Sequence, residues 1–190
     1  MFILTPVLLG IAAVGYPLVE IVLGQKWLPC VPYLQILCVG CLFNPLTHIN
    51  LNLLYVKGRS DLVLKLELIK KPIGFLILFA SIPFGIWWMC FGAALYNFIA
   101  FVFNCYYTKK LLNYGFFMQM RELANIFIGG IIMWLVVTAV MMPFSDVNLQ
   151  LLIGILGGVL SYTLYAIITR EQSYKEIKEI ITKKVKNGHK

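Results

Sequence analysis

The chain has 190 residues, of which 61% are hydrophobic and 13% charged, and its mean hydropathy is +0.86. This composition excludes a soluble globular domain, in which about a quarter of the residues are charged. The formal net charge of +8 does not indicate a nucleic acid partner, because no soluble segment carries a basic stripe with interleaved aromatic residues. The sequence predicts a membrane protein.

Six apolar stretches follow one another along the chain, and each is long enough to cross a hydrocarbon core of about 30 Å. They comprise residues 2–22, 31–56, 62–84, 86–107, 123–144 and 149–169. For residues 1–169 the sequence therefore predicts an all-α polytopic bundle of six transmembrane helices. Residues 170–190 have apolar side chains at helical spacing among lysines, which predicts a basic amphipathic helix lying on membrane lipids.

The basic residues predict the orientation of this bundle. Of the sixteen lysines and arginines, all but Lys26 fall at alternate ends of successive spans. The positive-inside rule assigns the basic end to the cytoplasm, so both termini are expected there. The connections at Lys26, at residues 81–85 and at residues 145–148 are expected outside.

The first span follows Met1 directly, without a basic segment before it or a small-residue cleavage pattern after it. A secretory signal peptide requires both features. We interpret residues 2–22 as a span cut from a longer chain, and the whole as one half of a transporter built from repeats. Glu20 is predicted to be an interfacial residue rather than a coupling carboxylate.

The second span carries the most polar side chains, and their three- and four-residue spacing places them on one narrow helical face. This polar stripe comprises Cys41, Asn44, His48, Asn52 and Tyr55. Amide and imidazole groups inside a membrane need partners or water, so the stripe either hydrogen-bonds to a neighbouring helix or lines an aqueous cavity. Pro45 predicts a kink beside the stripe, which favours the cavity. His48 is expected to form hydrogen bonds rather than to carry protons.

The third span is expected to begin before Lys70 and Lys71, because residues 72–84 would cover only about 20 Å as a helix. Two interpretations of these lysines remain open: they extend to the head groups, or they face a wet mouth. Glu67 can form an ion pair with either of them. Small and polar residues on the later spans predict close helix packing, at Ala93, Asn97, Ala100 and Asn104, at Gly129 and Gly130, and at Gly154 and Gly158.

No pattern of catalysis or metal binding accompanies the spans. The five cysteines lie mostly within apolar stretches. Cys38 and Cys41 have neither a second cysteine pair nor a carboxylate nearby, so we predict that they pack against other side chains and bind no metal. The sequence has no H-E-x-x-H motif, no pair of aspartates within a span and no nucleophile elbow. We expect no enzyme activity, no cofactor, no metal and no catalytic residue.

Five segments in a fixed order carry a resemblance to a known family: L-G-Q-K-W at 23–27, P-Y-L-Q-I-L at 32–37, N-L-N at 50–52, G-R-S-D at 58–61 and L-E-L-I-K-K at 66–71. In this order they resemble bacterial polysaccharide flippases. These are exporters of the O-antigen and teichuronic-acid type in the multidrug/oligosaccharidyl-lipid/polysaccharide superfamily. The resemblance covers almost the whole chain, and it matches the C-terminal part of such a protein.

The resemblance implies a multi-pass transporter of the bacterial cytoplasmic (inner) membrane that acts in lipopolysaccharide, capsule or exopolysaccharide biosynthesis. It implies alternating access between two lobes that moves a polyprenyl-pyrophosphate-linked oligosaccharide to the outer leaflet. The partners implied are this lipid-linked oligosaccharide, an N-terminal lobe missing from this chain, and the polysaccharide polymerase and chain-length machinery.

Charge and depth divide the expected site residues into two sets. Those expected to bind sugar are Asn44, His48, Asn52 and Tyr55, and those expected to attract the pyrophosphate at the cytoplasmic mouth are Lys57, Arg59, Lys70 and Lys71.

Three alternatives remain. A multidrug exporter of the same superfamily would need buried carboxylates, and the spans offer essentially only Glu20. A remnant without transport activity, or an assembly partner, fits a chain that lacks one lobe. A membrane-embedded glycosyltransferase acting through His48 and Arg59 would need a substantial outer loop, and the predicted outer loops are short.

Overall fold

The computed structural model describes residues 1–112 and 114–169, and all regular structure in these residues is helical. The helices are α1 (Leu4–Ala13), α2 (Gly15–Leu23), α3 (Val31–Cys41), α4 (Asn44–Val56), α5 (Ser60–Ser81), α6 (Ile86–Leu112), α7 (Phe116–Met141) and α8 (Val147–Ile168). Two 3-10 turns, Gln25–Cys30 and Ile82–Phe84, precede α3 and α6. The predicted all-α membrane fold is confirmed. The predicted amphipathic tail at 170–190 lies outside the described residues.

The described part contains four helical segments long and apolar enough to cross a membrane. These are Gln25–Val56, Ile86–Leu111, Phe116–Met141 and Val147–Ile168. The pair of α1 and α2 would make a fifth span if it is counted as one, although its two helices meet at an angle of 72°. The chain is therefore a multi-pass membrane protein with four or five such spans in its described part, where the sequence predicts six.

The span expected at residues 2–22 is divided into two helices, because the helix breaks at Val14. Pro17 explains the break: it has no N–H to donate to the carbonyl of Ala13, and its ring collides with that carbonyl in a continuous helix. Gly15, the first residue of α2, lies against α3, where an added Cβ would be in ordinary contact with the Val31 side chain at 3.5 Å.

The remaining expected span, residues 62–84, corresponds to α5. Its 22 residues would reach about 33 Å as a helix, which is enough to cross a membrane. Its first half is too highly charged to count as a plain apolar span, since it carries Asp61, Lys65, Glu67, Lys70 and Lys71. The expectation that this helix starts before Lys70 is confirmed, because α5 begins at Ser60.

The sequence predicts a kink at Pro45, and the structure shows an interruption of the helix just before this residue. The helical segment Gln25–Val56 is interrupted at Leu42 and Phe43, one turn before the proline, and these two residues keep right-handed helical dihedral angles. Proline cannot donate to the carbonyl four residues earlier, which explains an interruption of the helical hydrogen bonds at this place in a segment that continues to Val56.

Helix α6 lies at the centre of one half of the bundle, beside α3, α4 and α5. It runs parallel to α3 and α4, since Tyr33 contacts Trp87, Phe43 contacts Phe101, and Asn50 contacts Cys105. This arrangement places the end of α4, the last turn of α6 and the start of α7 at one end of the bundle. That end carries Lys57, Lys109, Lys110 and Arg121.

The other half of the bundle consists of α1, α7 and α8, and glycines permit its close contacts. A Cβ at Gly129 would come within 2.5 Å of the Tyr165 ring, and one at Gly130 within 2.6 Å of Leu9. A Cβ added at Gly154 would similarly lie 2.7 Å from the Val14 side chain. The predicted packing role of these glycines is confirmed, and the Gly-x-x-x-Gly pattern of α8 packs inside the chain.

Candidate functional site

The polar stripe lies on the outward face of α3 and α4. His48, Asn52 and Tyr55 are exposed, while Cys41 and Asn44 are half-buried. At about 100° per residue, the four stripe residues of α4 fall within an arc of about 80°, centred about 150° away from the buried side. That buried side consists of Leu46, Asn50 and Leu54. The stripe therefore points away from the rest of the chain.

The stripe has no hydrogen-bonding helix within the described part of the chain. None of the side-chain hydrogen bonds among residues 1–112 and 114–169 involves Asn44, His48, Asn52 or Tyr55. Of the two interpretations of the sequence, packing against a helix of this chain thus finds no support. The other interpretation, that the stripe lines a water-filled cavity, is consistent with its outward position.

The buried polar residue of α4 is Asn50, which sequence reasoning missed. Asn50 Nδ2 donates to Gln119 Oε1 at 3.0 Å, and Gln119 Nε2 donates to Asn50 Oδ1 at 3.0 Å. The Cys105 sulfur lies 3.5 Å from both side chains. One signal could have distinguished Asn50 from Asn52: it stands four residues from Leu46 and from Leu54, in the register of the apolar face.

The polar contacts of Gln119 continue toward the basic end of the bundle. Its Nε2 also donates to the carbonyl of Tyr114 at 3.3 Å, in the connection between α6 and α7. The Tyr114 hydroxyl donates to the Glu122 carboxylate. Burial, with this carboxylate beside it, raises the pKa of Tyr114 to about 12, so the phenol is neutral at pH 7.

A second buried contact joins α4 to α6. Asn104 Nδ2 donates to the carbonyl of Thr47 at 3.3 Å, and the Thr108 hydroxyl donates to the carbonyl of Asn104 at 3.0 Å. Asn104 and Ala100 are buried as the predicted packing seam requires, whereas Ala93 is exposed. The buried Asn104 Oδ1 and Thr47 Oγ1 have no hydrogen-bond partner among the described residues.

The four cations expected to attract pyrophosphate have different surroundings. Lys57 and Lys71 are exposed. Arg59 is half-exposed and forms a two-point ion pair, with its Nε 3.1 Å from Asp61 Oδ1 and its Nη2 3.2 Å from Asp61 Oδ2. The hydrogen bond from Arg59 lowers the pKa of Asp61, so the pair stays charged at pH 7.

Lys70 is the exception among them, because its side chain is only 4% exposed and its Nζ lies 2.6 Å from Glu67 Oε1. The predicted pairing of Glu67 with one of the two lysines is confirmed. A buried ammonium is stable when a carboxylate compensates it, and breaking that pair to reach a ligand would be costly. The structure therefore separates two adjacent lysines, one buried and paired and the other exposed.

The four cations do not form a single cluster. Lys57 and Arg59 lie at the turn before α5, whereas Lys70 and Lys71 follow about 15 Å further along this helix. The expected sugar-binding residues are likewise spread along α4, from Asn44 to Tyr55, over about 16 Å. What the structure presents is an extended polar surface rather than a compact pocket.

The remaining carboxylate of interest, Glu20, lies in α2 and is half-buried. It accepts a hydrogen bond of 3.0 Å from Gln25 Nε2 in the following turn. Within residues 1–112 and 114–169, no group of three or more His, Cys, Asp or Glu residues is placed to hold a metal ion.

Comparison with known proteins shows similarity to membrane proteins. An uncharacterized membrane protein of Methanocaldococcus jannaschii is 26% identical over 190 residues, which cover 98% of this chain and 36% of that protein. An uncharacterized membrane protein in the cps region of Klebsiella pneumoniae is 32% identical over 114 residues, covering 60% of this chain and 22% of the relative. No protein-family model and no solved structure matches the chain.

A third relative is named for a biosynthetic process. The teichuronic acid biosynthesis protein TuaB of Bacillus subtilis (strain 168) is 37% identical over 57 residues, which cover 30% of this chain and 12% of TuaB. The chain thus spans about a third or less of the length of the three relatives. Two of them carry names that refer to a cps region or to teichuronic acid.

Proposed function

We propose that the chain forms one lobe of a transporter that flips a lipid-linked oligosaccharide across the bacterial cytoplasmic membrane. The observation that carries this proposal is the outward polar stripe on a transmembrane segment. His48 and Asn52 are exposed and form no hydrogen bond within the described residues, while Asn50 on the same helix is buried and paired. The names of the relatives from polysaccharide-related regions support the same conclusion.

The physical argument is the cost of polar groups against lipid. Amide and imidazole side chains in hydrocarbon lose their hydrogen bonds to water, so exposed ones indicate a water-filled cavity or another protein surface. Sugar hydroxyls both donate and accept hydrogen bonds, as amide groups do. We assign Asn44, His48, Asn52 and Tyr55 to the sugar on this basis.

The exposed cations supply the complementary part of the proposal. Lys57 and Arg59 stand at the basic end of the bundle, where a lipid-linked pyrophosphate would approach from the cytoplasmic leaflet. Lysine and arginine near head groups attract phosphate by charge and by hydrogen bonds. We therefore assign to them the first contact with the substrate, and no covalent chemistry is required of the chain.

Alternating access requires a second lobe around the same cavity. Because the chain spans about a third or less of its relatives, we propose that another lobe supplies the wall opposite the stripe. The polysaccharide polymerase and the chain-length machinery are proposed partners downstream of the flipped substrate.

A complementation experiment tests this function. The chain is expressed in a flippase-deficient bacterial strain, alone and together with the N-terminal lobe of a polysaccharide flippase, and surface polysaccharide is measured by immunoblot. We expect export only with both lobes. Export by the chain alone would contradict the two-lobe arrangement, and no export at matched membrane abundance with any tested lobe would contradict the flippase function.

Substitutions in the stripe test the assignment of the sugar site within the two-lobe system. Asn44→Leu with Asn52→Leu is expected to reduce export at unchanged membrane abundance, because the sugar loses two amide partners. Ile49→Leu is the matched control, since Ile49 is exposed on the same helix but outside the stripe. Equal export by the double variant and the control would mean that the stripe does not contact the substrate.

A further inference from the structure

The contact between α4 and α6 contains two buried oxygen atoms without a hydrogen-bond partner among the described residues, Asn104 Oδ1 and Thr47 Oγ1. The Asn104 side chain is completely buried. Such atoms are rare in folded proteins, because a buried acceptor without a donor costs at least as much as a lost hydrogen bond. Two of them in one helix contact therefore need an explanation.

The two oxygens belong to neighbouring groups, because Asn104 Nδ2 donates to the main-chain carbonyl of Thr47 at 3.3 Å. This bond also fixes the orientation of the amide. Turning the amide over would place Oδ1 against that carbonyl, and two acceptors repel each other. The Asn104 and Thr47 side chains nevertheless form no hydrogen bond with each other. A polar contact that is too wide for a direct bond is commonly bridged by water.

The position of Thr47 gives water access to this contact. Around α4, at about 100° per residue, Thr47 falls between Asn50 on the buried side and Asn44 at the edge of the polar stripe, about 60° from each. Thr47 is also half-buried as a whole residue. The two oxygens therefore lie beside the outward face of the helix rather than at the centre of the bundle.

The chemistry of the two oxygens favours water over a metal ion. Asn104 Oδ1 only accepts, whereas the Thr47 hydroxyl both donates and accepts, so one water molecule satisfies both. A buried cation would need a compensating charge. Among the described residues, the buried polar side chains of α4 and α6 are Asn50, Asn104 and Thr108, and all are uncharged.

We propose that one ordered water molecule binds between Asn104 Oδ1 and Thr47 Oγ1 and joins α4 to α6 beside the polar stripe. Buried waters typically make two to four such hydrogen bonds to polar groups that are otherwise unpaired. The α4–α6 contact is thus bridged by water, whereas the α4–α7 contact between Asn50 and Gln119 is direct. The bridge does not depend on the transport function.

Replacing Thr47 tests the bridge by the sign of the effect on stability. Thr47→Val removes the hydroxyl with little change of shape. Loss of an unpaired buried hydroxyl should stabilise the chain, whereas loss of a hydroxyl that binds a water should destabilise it. We expect the folding equilibrium constant of the purified chain to fall about fivefold, the factor that one net hydrogen bond contributes, as measured by unfolding in mixed detergent micelles.

Thr5→Val is the matched control. Thr5 is also fully buried in a helix, and its Oγ1 also has no partner among the described residues. It lies on α1 against Gly130 of α7, and no second unpaired side-chain oxygen accompanies it in the described part of these two helices. One such oxygen is too few to hold a water. We expect Thr5→Val to leave the folding constant unchanged or to raise it. A Thr47→Val variant with the same effect as Thr5→Val would overturn the proposal.

Double-mutant cycles separate the bridge from side-chain packing. Thr47→Val combined with Asn104→Leu should show a coupling of about fivefold, although no direct bond joins the two side chains. The same cycle with Thr47→Ser should show none, because serine retains the hydroxyl. Equal coupling in the two cycles would mean that the side chains interact by packing alone, and the bridge would be wrong.

A high-resolution structure of the full chain and a change of salt identify the ligand. We expect density about 2.5 to 3.0 Å from both Asn104 Oδ1 and Thr47 Oγ1, and none at this place in Thr47→Val. A map that shows other ordered waters but none here would refute the bridge. Stability should be equal in sodium chloride and choline chloride at the same concentration. A sodium-dependent gain in stability that Thr47→Val abolishes would mean that the site binds a cation instead.

Discussion

Asn50 and Gln119 join α4 to α7 through two reciprocal amide hydrogen bonds, each 3.0 Å long. The two residues are 69 positions apart in the sequence, and both side chains are buried. Each amide supplies the donor and the acceptor that the other one lacks, so neither needs water at this depth. The contact fixes α4, which carries four of the five residues of the polar stripe.

Breaking this contact should destabilise the bundle. We expect Asn50→Leu or Gln119→Leu to lower the free energy of unfolding, with a coupling energy of about 0.6 to 1.7 kcal/mol in a double-mutant cycle, as found for hydrogen bonds between transmembrane helices. Unfolding in mixed detergent micelles measures it. The matched control is Asn52→Leu, an exposed amide two residues away, which should leave stability unchanged. A coupling energy of zero would contradict the structural role.

Helix contacts at glycine give a second prediction. A Cβ at Gly40 would come within 2.7 Å of the backbone Cα of Ala94, so α3 and α6 would have to separate. We expect Gly40→Ala to cost about 1 to 3 kcal/mol of unfolding free energy, the usual range for overpacking. Gly157→Ala is the control, because nothing lies within 4 Å of its added Cβ. It should be neutral, or stabilising by up to about 1 kcal/mol, since alanine favours the helix. Equal losses in both variants would refute the close contact.

The basic end of the bundle predicts its orientation in the membrane. We expect a single cysteine at Asp146, introduced after the five native cysteines are replaced, to react with an impermeant thiol reagent in intact cells. A cysteine at Lys109, in the last turn of α6, should react only after the membrane is opened. The reverse pattern would mean that the basic end faces outward.

The sequence predicted the helices well because long apolar stretches and helical spacing are local signals. It located the interruption near Pro45 for the same reason, since the missing N–H acts within one turn. The bend at Val14 was missed although Pro17 provides the same signal, because the direction that α2 takes depends on its packing against α3 and α8. Local patterns identify where a helix can break, and tertiary contacts decide how far it turns.

The site was less predictable because burial depends on helix rotation. The register of Asn50 with Leu46 and Leu54 indicates that it faces the core, but the sequence does not show its hydrogen-bond partner, which lies 69 positions away in α7. Lys70 and Lys71 are adjacent, and the rotation of α5 against α6 buries one and exposes the other. The sequence therefore predicts the same role for two lysines whose environments in the structure differ.

The stability of the chain should consequently fall when Lys70 is replaced and remain nearly unchanged when Lys71 is replaced by the same residue. Lys70→Gln leaves the Glu67 carboxylate without its cation, and we expect a loss of about 1 to 2 kcal/mol in unfolding free energy. This is less than the roughly 3 to 5 kcal/mol for breaking a fully buried pair, because the Glu67 side chain is 37% exposed and water screens part of the lost attraction. Lys71→Gln should leave stability within about 0.5 kcal/mol of the unaltered chain, since its side chain is exposed and unpaired among the described residues.

Unfolding in mixed micelles distinguishes the two variants, and a third tests the cause. Glu67→Gln with Lys70→Gln removes both charges, so it should recover part of the stability that Lys70→Gln alone loses. If the double variant is no more stable than Lys70→Gln, the ion pair does not explain the cost. If Lys71→Gln destabilises as much as Lys70→Gln, the exposed position of Lys71, on which its expected attraction of pyrophosphate depends, is wrong.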